Sequence, residues 1–173
     1  MKCYLDSSAL LKPEFAENEA VDYQATFDML KATGWTFATS VLSKVEVRRA
    51  VRREVASGRI TAEAAEAKAG SLFDDVDLVG IDRSVIDEAG EIDGESLRSL
   101  DAIHLATARI IGADLVITYD DRMLRACMDA GVMTAQPGVE RPVVPDGWEI
   151  IPVTDDIDSD LLDQYEAAFF GPE

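Results

Sequence analysis

Four carboxylates, Asp6, Glu46, Asp101 and Asp120, are the residues of this chain whose type and position could do chemistry. Asp6 follows directly on the apolar run Cys3, Tyr4, Leu5, and Asp120 comes just after Leu115, Val116, Ile117, Thr118. Both therefore fall at the carboxyl ends of strands, the edge at which open α/β sheets bind ligands. Glu46 falls in the first turns of a helix entered from a second strand. Asp101 falls in the first turn of its own helix, where the macrodipole favours an anion. Taken singly, each acid has an ordinary explanation. Asp101 serves as a charge at a helix N-terminus, Asp6 as the cap of Ser7–Leu11, and Glu46 as a solvated side chain or a partner of Arg49. Asp120 serves as a turn residue, with Asp121 capping the next helix.

Brought to one edge, the four would repel one another, and an acidic cleft of that kind is normally stabilised by a cation. An all-oxygen set with no cluster of Cys or His favours Mg²⁺ or Mn²⁺ over zinc. Ser7 and Thr118 adjoin the acids; their hydroxyls fit either orienting a bound water or phosphate, or local capping and turn hydrogen bonds. His104, the only histidine, lies three residues after Asp101 and so near the same helical face. Metal chemistry does not need it as a base, and it reads as a packing residue. Cys3 and Cys127 are far apart without metal-ligand spacing, and read as free buried thiols in a reducing compartment.

Short apolar runs alternating with helical patterns predict a parallel α/β sheet. The strands are expected near Lys2–Leu5, Trp35–Ala38, Asp77–Ile81 and Leu115–Ile117, with an edge strand near Val132–Thr134. Helices are expected over Glu19–Ala32, from a Thr39 or Ser40 cap to Gly58, from Thr61 to Phe73, over Asp82–Ala89, over Ser99–Ile111, and from Asp120 to about Ala130. After Thr134 the texture changes. Pro137, Pro142, Pro145 and Pro152 interrupt regular structure, Asp155–Asp160 is an acidic run, and Leu161–Phe170 carries an apolar stripe at helical spacing. A core domain over 1–135 and an acidic extension over 136–173 ending in a short helix are the expectation.

At 173 residues, 47% of them apolar, the chain is large enough to bury a core as one domain. It has no apolar run of about 18 residues, and its N-terminus lacks a signal-peptide pattern, so no membrane and a cytoplasmic location are expected. The net charge of −18 argues at first against a nucleic-acid partner. Half of that charge lies beyond Met133, where ten acidic residues face Arg141 alone. Meanwhile Arg48, Arg49, Arg52 and Arg53 crowd the helix that carries Glu46 and pair at spacings of four, which suits gripping phosphates as well as covering apolar neighbours.

The succession of Leu5–Lys12 (LDSSALLK), Ser43–Val51 (SKVEVRRAV), Leu97–Ala108 (LRSLDAIHLATA) and Ile117–Leu124 (ITYDDRML) resembles the PIN-domain nucleases. Within them it resembles the toxins of VapBC-type toxin–antitoxin pairs, over roughly residues 1–133. The first and third segments are the most specific. The resemblance implies a three-layer α/β/α PIN-like fold with a central parallel sheet, here followed by the C-terminal extension. It implies that Asp6, Glu46, Asp101 and Asp120 hold Mg²⁺ or Mn²⁺ for endonucleolytic cleavage of RNA, leaving 5′-phosphate and 3′-hydroxyl ends and blocking translation. The family pattern of Thr, any residue, Asp fits Thr118-Tyr119-Asp120 and favours Asp120 over Asp121. An RNA substrate, a cognate antitoxin and a homodimer are the implied partners. The alternative is a PIN-like binding or assembly module without significant nuclease activity. A phospho-receiver would need a Lys after a late strand, and a haloacid-dehalogenase-type phosphatase an Asp where Ser8 stands; neither is present.

Overall fold

The computed structural model describes residues 1–14, 19–92 and 97–139, all within one unit, Met1–Val143. In chain order the elements are β1 (Lys2–Leu5), α1 (Ser7–Leu11), a 3-10 turn (Lys12–Glu14), α2 (Ala20–Ala32), β2 (Thr36–Ser40), α3 (Leu42–Ala56) and α4 (Ala62–Ser71). Next come β3 (Val76–Val79), α5 (Arg83–Glu91), α6 (Ser99–Ile110), β4 (Leu115–Ile117), α7 (Asp121–Asp129) and β5 (Thr134–Ala135). The strands form one sheet in the order β3-β2-β1-β4-β5, and every neighbouring pair is parallel.

A central parallel strand is covered on both faces and so reads as a continuous apolar run rather than an alternating one. β1 and β4 show this. Cys3 and Leu5, with Leu115 and Ile117, face one core cluster that includes Ala9, Leu10, Tyr23, Phe37, Val47 and Val51. Tyr4 and Val116 face the other, with Leu105, Ala108, Met123 and Cys127. Helices α1, α2, α3 and α4 therefore lie on one side, α6 and α7 on the other, and the three-layer α/β/α arrangement results. In α3 the buried residues Ser43, Val47, Ala50 and Val51 recur at helical spacing and turn one stripe inward.

From β1 the chain moves outward to β2 and β3, then crosses back to β4 on the other side of β1. The switch point lies between β1 and β4, whose register pairs Leu5 with Ile117. The next residues along these two strands, Asp6 and Thr118, thus emerge side by side at the carboxyl edge, in the crevice where such sheets bind ligands.

Three local expectations are corrected. β2 runs on to Ser40, because Thr39 and Ser40 pair with Leu78 and Val79 of β3, while the Ser40 hydroxyl still accepts the Leu42 N–H (3.3 Å) at the start of α3. The N-cap of α3 is Val41, without a side-chain bond; the Thr39 hydroxyl donates to Leu5 O (2.6 Å). The edge strand is Thr134–Ala135, in register with Val116 and Ile117. The expected helix in Leu161–Phe170 lies outside the described residues. Among the described residues, no helix is long and apolar enough to cross a membrane.

The packing leads to two expected outcomes. Ile117→Ala, at a fully buried position on a three-residue central strand, should cost about 2–5 kcal/mol in urea unfolding; a loss below about 1 kcal/mol would contradict the described core. Burial pushes both the Cys3 and Cys127 thiols up to about 12, the Asp6 charge adding to the second. A disulfide reagent at neutral pH should therefore label neither until the protein unfolds.

Candidate active site

Asp6 caps α1, and its Oδ2 gathers the donors around it: Ser8 N–H (3.4 Å), Ser8 Oγ (2.6 Å) and Thr118 Oγ1 (3.0 Å). The two hydroxyls are themselves held by backbone amides just beyond β4. Ser8 Oγ accepts from Tyr119 N–H (2.8 Å), and Thr118 Oγ1 accepts from Asp120 N–H (3.1 Å). One hydroxyl thus ties the acid after β1 to the acid after β4. Asp6 is 7% exposed, so these bonds replace most of its hydration.

Asp120 is the N-cap of α7. Its Oδ1 accepts from Arg122 N–H (2.8 Å) and Met123 N–H (3.3 Å), and its Oδ2 from Arg122 Nη2 (3.2 Å). The ordinary alternative, in which Asp121 caps this helix, therefore does not hold. Asp121 is the first helical residue and is exposed. Burial works to raise the Asp120 pKa, but the bonds from Arg122 and Met123 outweigh it and hold the carboxyl below its ordinary value.

Asp101, in the first turn of α6, accepts from Arg98 N–H (3.3 Å). Burial pushes its pKa up and the charges of Asp120 and Asp6 push it further, against the Arg98 N–H and Arg122. That mutual repulsion puts Asp6, Asp101 and Asp120 in one electrostatic neighbourhood.

Glu46 enters from α3. Its Oε2 accepts from Ser7 Oγ and from His104 Nε2, the latter at 2.8 Å. Burial again works to raise its pKa, and the His104 and Ser7 bonds outweigh it, leaving the carboxyl low. The same His104 Nε2 stands 3.8 Å from Asp6 Oδ1. Burial pulls the His104 pKa down, yet the bond to Glu46 and the charges of Asp6, Glu46 and Asp101 carry it above the ordinary value. His104 is thus the meeting point of the acids, not the plain packing residue the sequence suggests. Its i+3 spacing from Asp101 is the available signal.

Arg122 lies beside the acids, and the sequence reading does not single it out. Its guanidinium pairs with Asp120, its Nε stands 4.0 Å from Asp101 Oδ2, and that buried Nε has no hydrogen-bond partner among the described residues. The signal is its place two residues beyond Asp120, within reach of a carboxylate at a helix start. Among the described residues, no three His, Cys, Asp or Glu side chains stand arranged to hold a metal ion.

The donor set nevertheless suits a hard cation. Asp6, Glu46 and Asp101 each have one oxygen anchored by protein donors. The other oxygen of each accepts no hydrogen bond from a described residue. Oxygen lone pairs held in fixed directions are what Mg²⁺ or Mn²⁺ requires.

Arg48, Arg49, Arg52 and Arg53 are exposed on α3 and make no ion pair within 4.0 Å with a described residue. At about 100° per residue, Arg49 and Arg53 fall within about 60° and 20° of the Glu46 direction, whereas Arg48 and Arg52 point well away.

The chain belongs to the PIN-domain family, whose model matches residues 3–128. It is 37% identical over 140 residues to Ribonuclease VapC47 of Mycobacterium tuberculosis, covering 80% of this chain and 98% of that one. It is also 37% identical over 139 residues to Ribonuclease VapC46 of the same organism, covering 78% and 96%. The crystal structure of VapBC2 from Rickettsia felis, bound to a DNA fragment from their promoter, superposes with a TM-score of 0.62 over 78% of this chain and 98% of that chain. At 14% identity that likeness speaks for the fold.

Because Asp120 caps α7, Asp120→Ala should lower stability by about 1 kcal/mol while Asp120→Asn, which caps equally well, should stay within a few tenths. Thermal unfolding of both variants measures this. Equal losses would mean that the cap bonds to Arg122 and Met123 do not hold the helix start.

Proposed function

We propose that this protein is a divalent-metal-dependent endoribonuclease, the toxin of a type II toxin–antitoxin pair, which blocks translation by cutting RNA. The observation that carries the reading is that Asp6, Glu46 and Asp101 all act on His104 at the β1/β4 switch point, while the charge of Asp120 acts on Asp101. It stands in a chain 37% identical to a VapC ribonuclease over 98% of that relative's length. Asp120 rather than Asp121 is the fourth acid, since it faces Asp101 and Arg122 while Asp121 is exposed.

In this reading the four carboxylates hold Mg²⁺ or Mn²⁺. Such an ion, when bound, lowers the pKa of water and offsets negative charge on the phosphate. The chain's own contribution is geometric. Thr118 and Ser8 fix Asp6, Ser7 and His104 fix Glu46, and Arg98 N–H fixes Asp101, so that little reorganisation is needed when substrate arrives. In this reading Ser7 and Thr118 act by orienting carboxylates.

Arg48, Arg49, Arg52 and Arg53 supply phosphate contacts for RNA, with Arg49 and Arg53 nearest the acids. A cognate antitoxin, a homodimeric assembly and a cytoplasmic site of action belong to the same reading.

Cleavage of a structured RNA with Mn²⁺ tests it. Asp6→Asn and Asp101→Asn should each lower the rate by at least about 100-fold, and chelation should abolish it. The products should carry 5′-phosphate ends. Equal, metal-independent activity in wild type and both variants would defeat the assignment and favour a binding module.

A further inference from the structure

Glu46 differs from the other three acids in how it is held. Asp6, Asp101 and Asp120 are short side chains at strand ends or helix starts, and backbone N–H groups reach each of them. Glu46 sits inside α3, where the backbone amides are already engaged in the helix, and its longer side chain has an extra torsion to fix. Only side chains can hold it. Two do, on the same oxygen: Ser7 Oγ and His104 Nε2.

The imidazole is in turn fixed from behind. Tyr4 Oη stands 2.6 Å from His104 Nδ1, and that phenol receives the Ser40 backbone N–H at 3.1 Å. Tyr4 is 0% and His104 2% exposed, so no water competes for these groups. In the neutral imidazole, Glu46 Oε2 can only accept, so Nε2 keeps its hydrogen and donates to it, while bare Nδ1 accepts from the Tyr4 hydroxyl and Ser40 N–H donates to Tyr4 Oη. The chain of bonds starts on β2, passes through β1 and α6, and ends on α3.

We propose that His104, backed by Tyr4, is the positioning residue of the acidic site. It fixes Oε2 of Glu46 and thereby presents Oε1 to the divalent cation. The inference rests on the metal-dependent reading above and adds residues to it. A buried imidazole that only fills space would be replaceable by a similar-sized apolar side chain at no cost to metal binding. An imidazole that orients a ligand would not.

Two measurements on the full-length protein test this. The first is independent of metal. Because His104 is the only histidine, its ring nitrogens give one pair of ¹⁵N resonances. At about pH 9, toward the neutral form, the bare nitrogen should be Nδ1 and the protonated one Nε2. The opposite tautomer would overturn the bond chain.

The second measurement is Mn²⁺ affinity by electron paramagnetic resonance, with melting temperature recorded alongside. His104→Leu should weaken Mn²⁺ binding by about 10- to 100-fold. His104→Gln, whose amide nitrogen can still donate to Glu46, should recover most of that loss. Wild-type affinity in His104→Leu, or equal weakening in both variants, would overturn the proposal. Should His104→Leu fail to fold, Tyr4→Phe carries the same test by removing one oxygen from the chain, and wild-type affinity there would overturn it. Asp6→Asn is the control for the underlying reading. Undiminished Mn²⁺ binding in that variant would remove the carboxylate site itself, whereas the tautomer result would stand or fall on its own.

Discussion

Negative charge collected at one edge of a sheet has to be held there against its own repulsion, and the structure of this protein is organised around that constraint. Two unit charges about 4 Å apart in a half-buried setting repel by about 4 kcal/mol, and a hydrogen bond to a charged group returns about 1.5–3 kcal/mol. Two or three donors per carboxylate are thus the number needed to keep an acid ionised among others. Asp6 and Asp120 have three each, and Glu46 two. Asp101, with one backbone donor and Arg122 at 4.0 Å, is the acid whose pKa is pushed up. For Glu46, Asp101 and Asp120 the direction of the shift tracks the supply of donors.

Those donors exist because of where the strands lie. With β1 between β2 and β4, the turn after β1 is flanked by the end of β4, and Thr118 can reach Asp6 while Tyr119 N–H reaches Ser8. On the other flank, Ser40 of β2 reaches Tyr4, and α3, launched from the end of β2, brings Glu46 over Ser7. The apolar pattern that buries both faces of β1 therefore also sets the polar contacts at its end. A shift of register by one residue between β1 and β4 would exchange Tyr4 with its neighbours across the sheet and dissolve both.

This explains what the sequence can disclose. The α/β class, the central strands and the position of Asp6 are legible because an apolar run leading into an acid specifies a strand and its end together. The bounds of β2 are not, since Thr39 and Ser40 have the character of caps and become strand only through pairing with β3. Asp101 is legible from its place in a helix start. Glu46 draws on the resemblance to a family, because an acid inside a helix beside four arginines has no local mark. The capping role falls to Asp120 instead of Asp121, since both are adjacent acids and only the direction of the chain leaving β4 separates them. The roles of His104 and Arg122 escape a reading of the sequence for a common reason. The partner of His104 is 58 residues away, and Arg122 meets Asp101 only through folded helices.

Arg122 shows where the balance of charge is left open. It lies between Asp101 and Asp120, bonded to Asp120 and 4.0 Å from Asp101, with its buried Nε lacking an acceptor among the described residues. A guanidinium has five donors in a rigid fork, and two aspartates so placed engage only part of it. On the proposed reading, a divalent cation held by these carboxylates would compete with Arg122 for them, and a phosphate oxygen is an acceptor that matches the geometry of the fork. On that reading, the side chain that offsets repulsion between Asp101 and Asp120 would also lie beside a negative substrate.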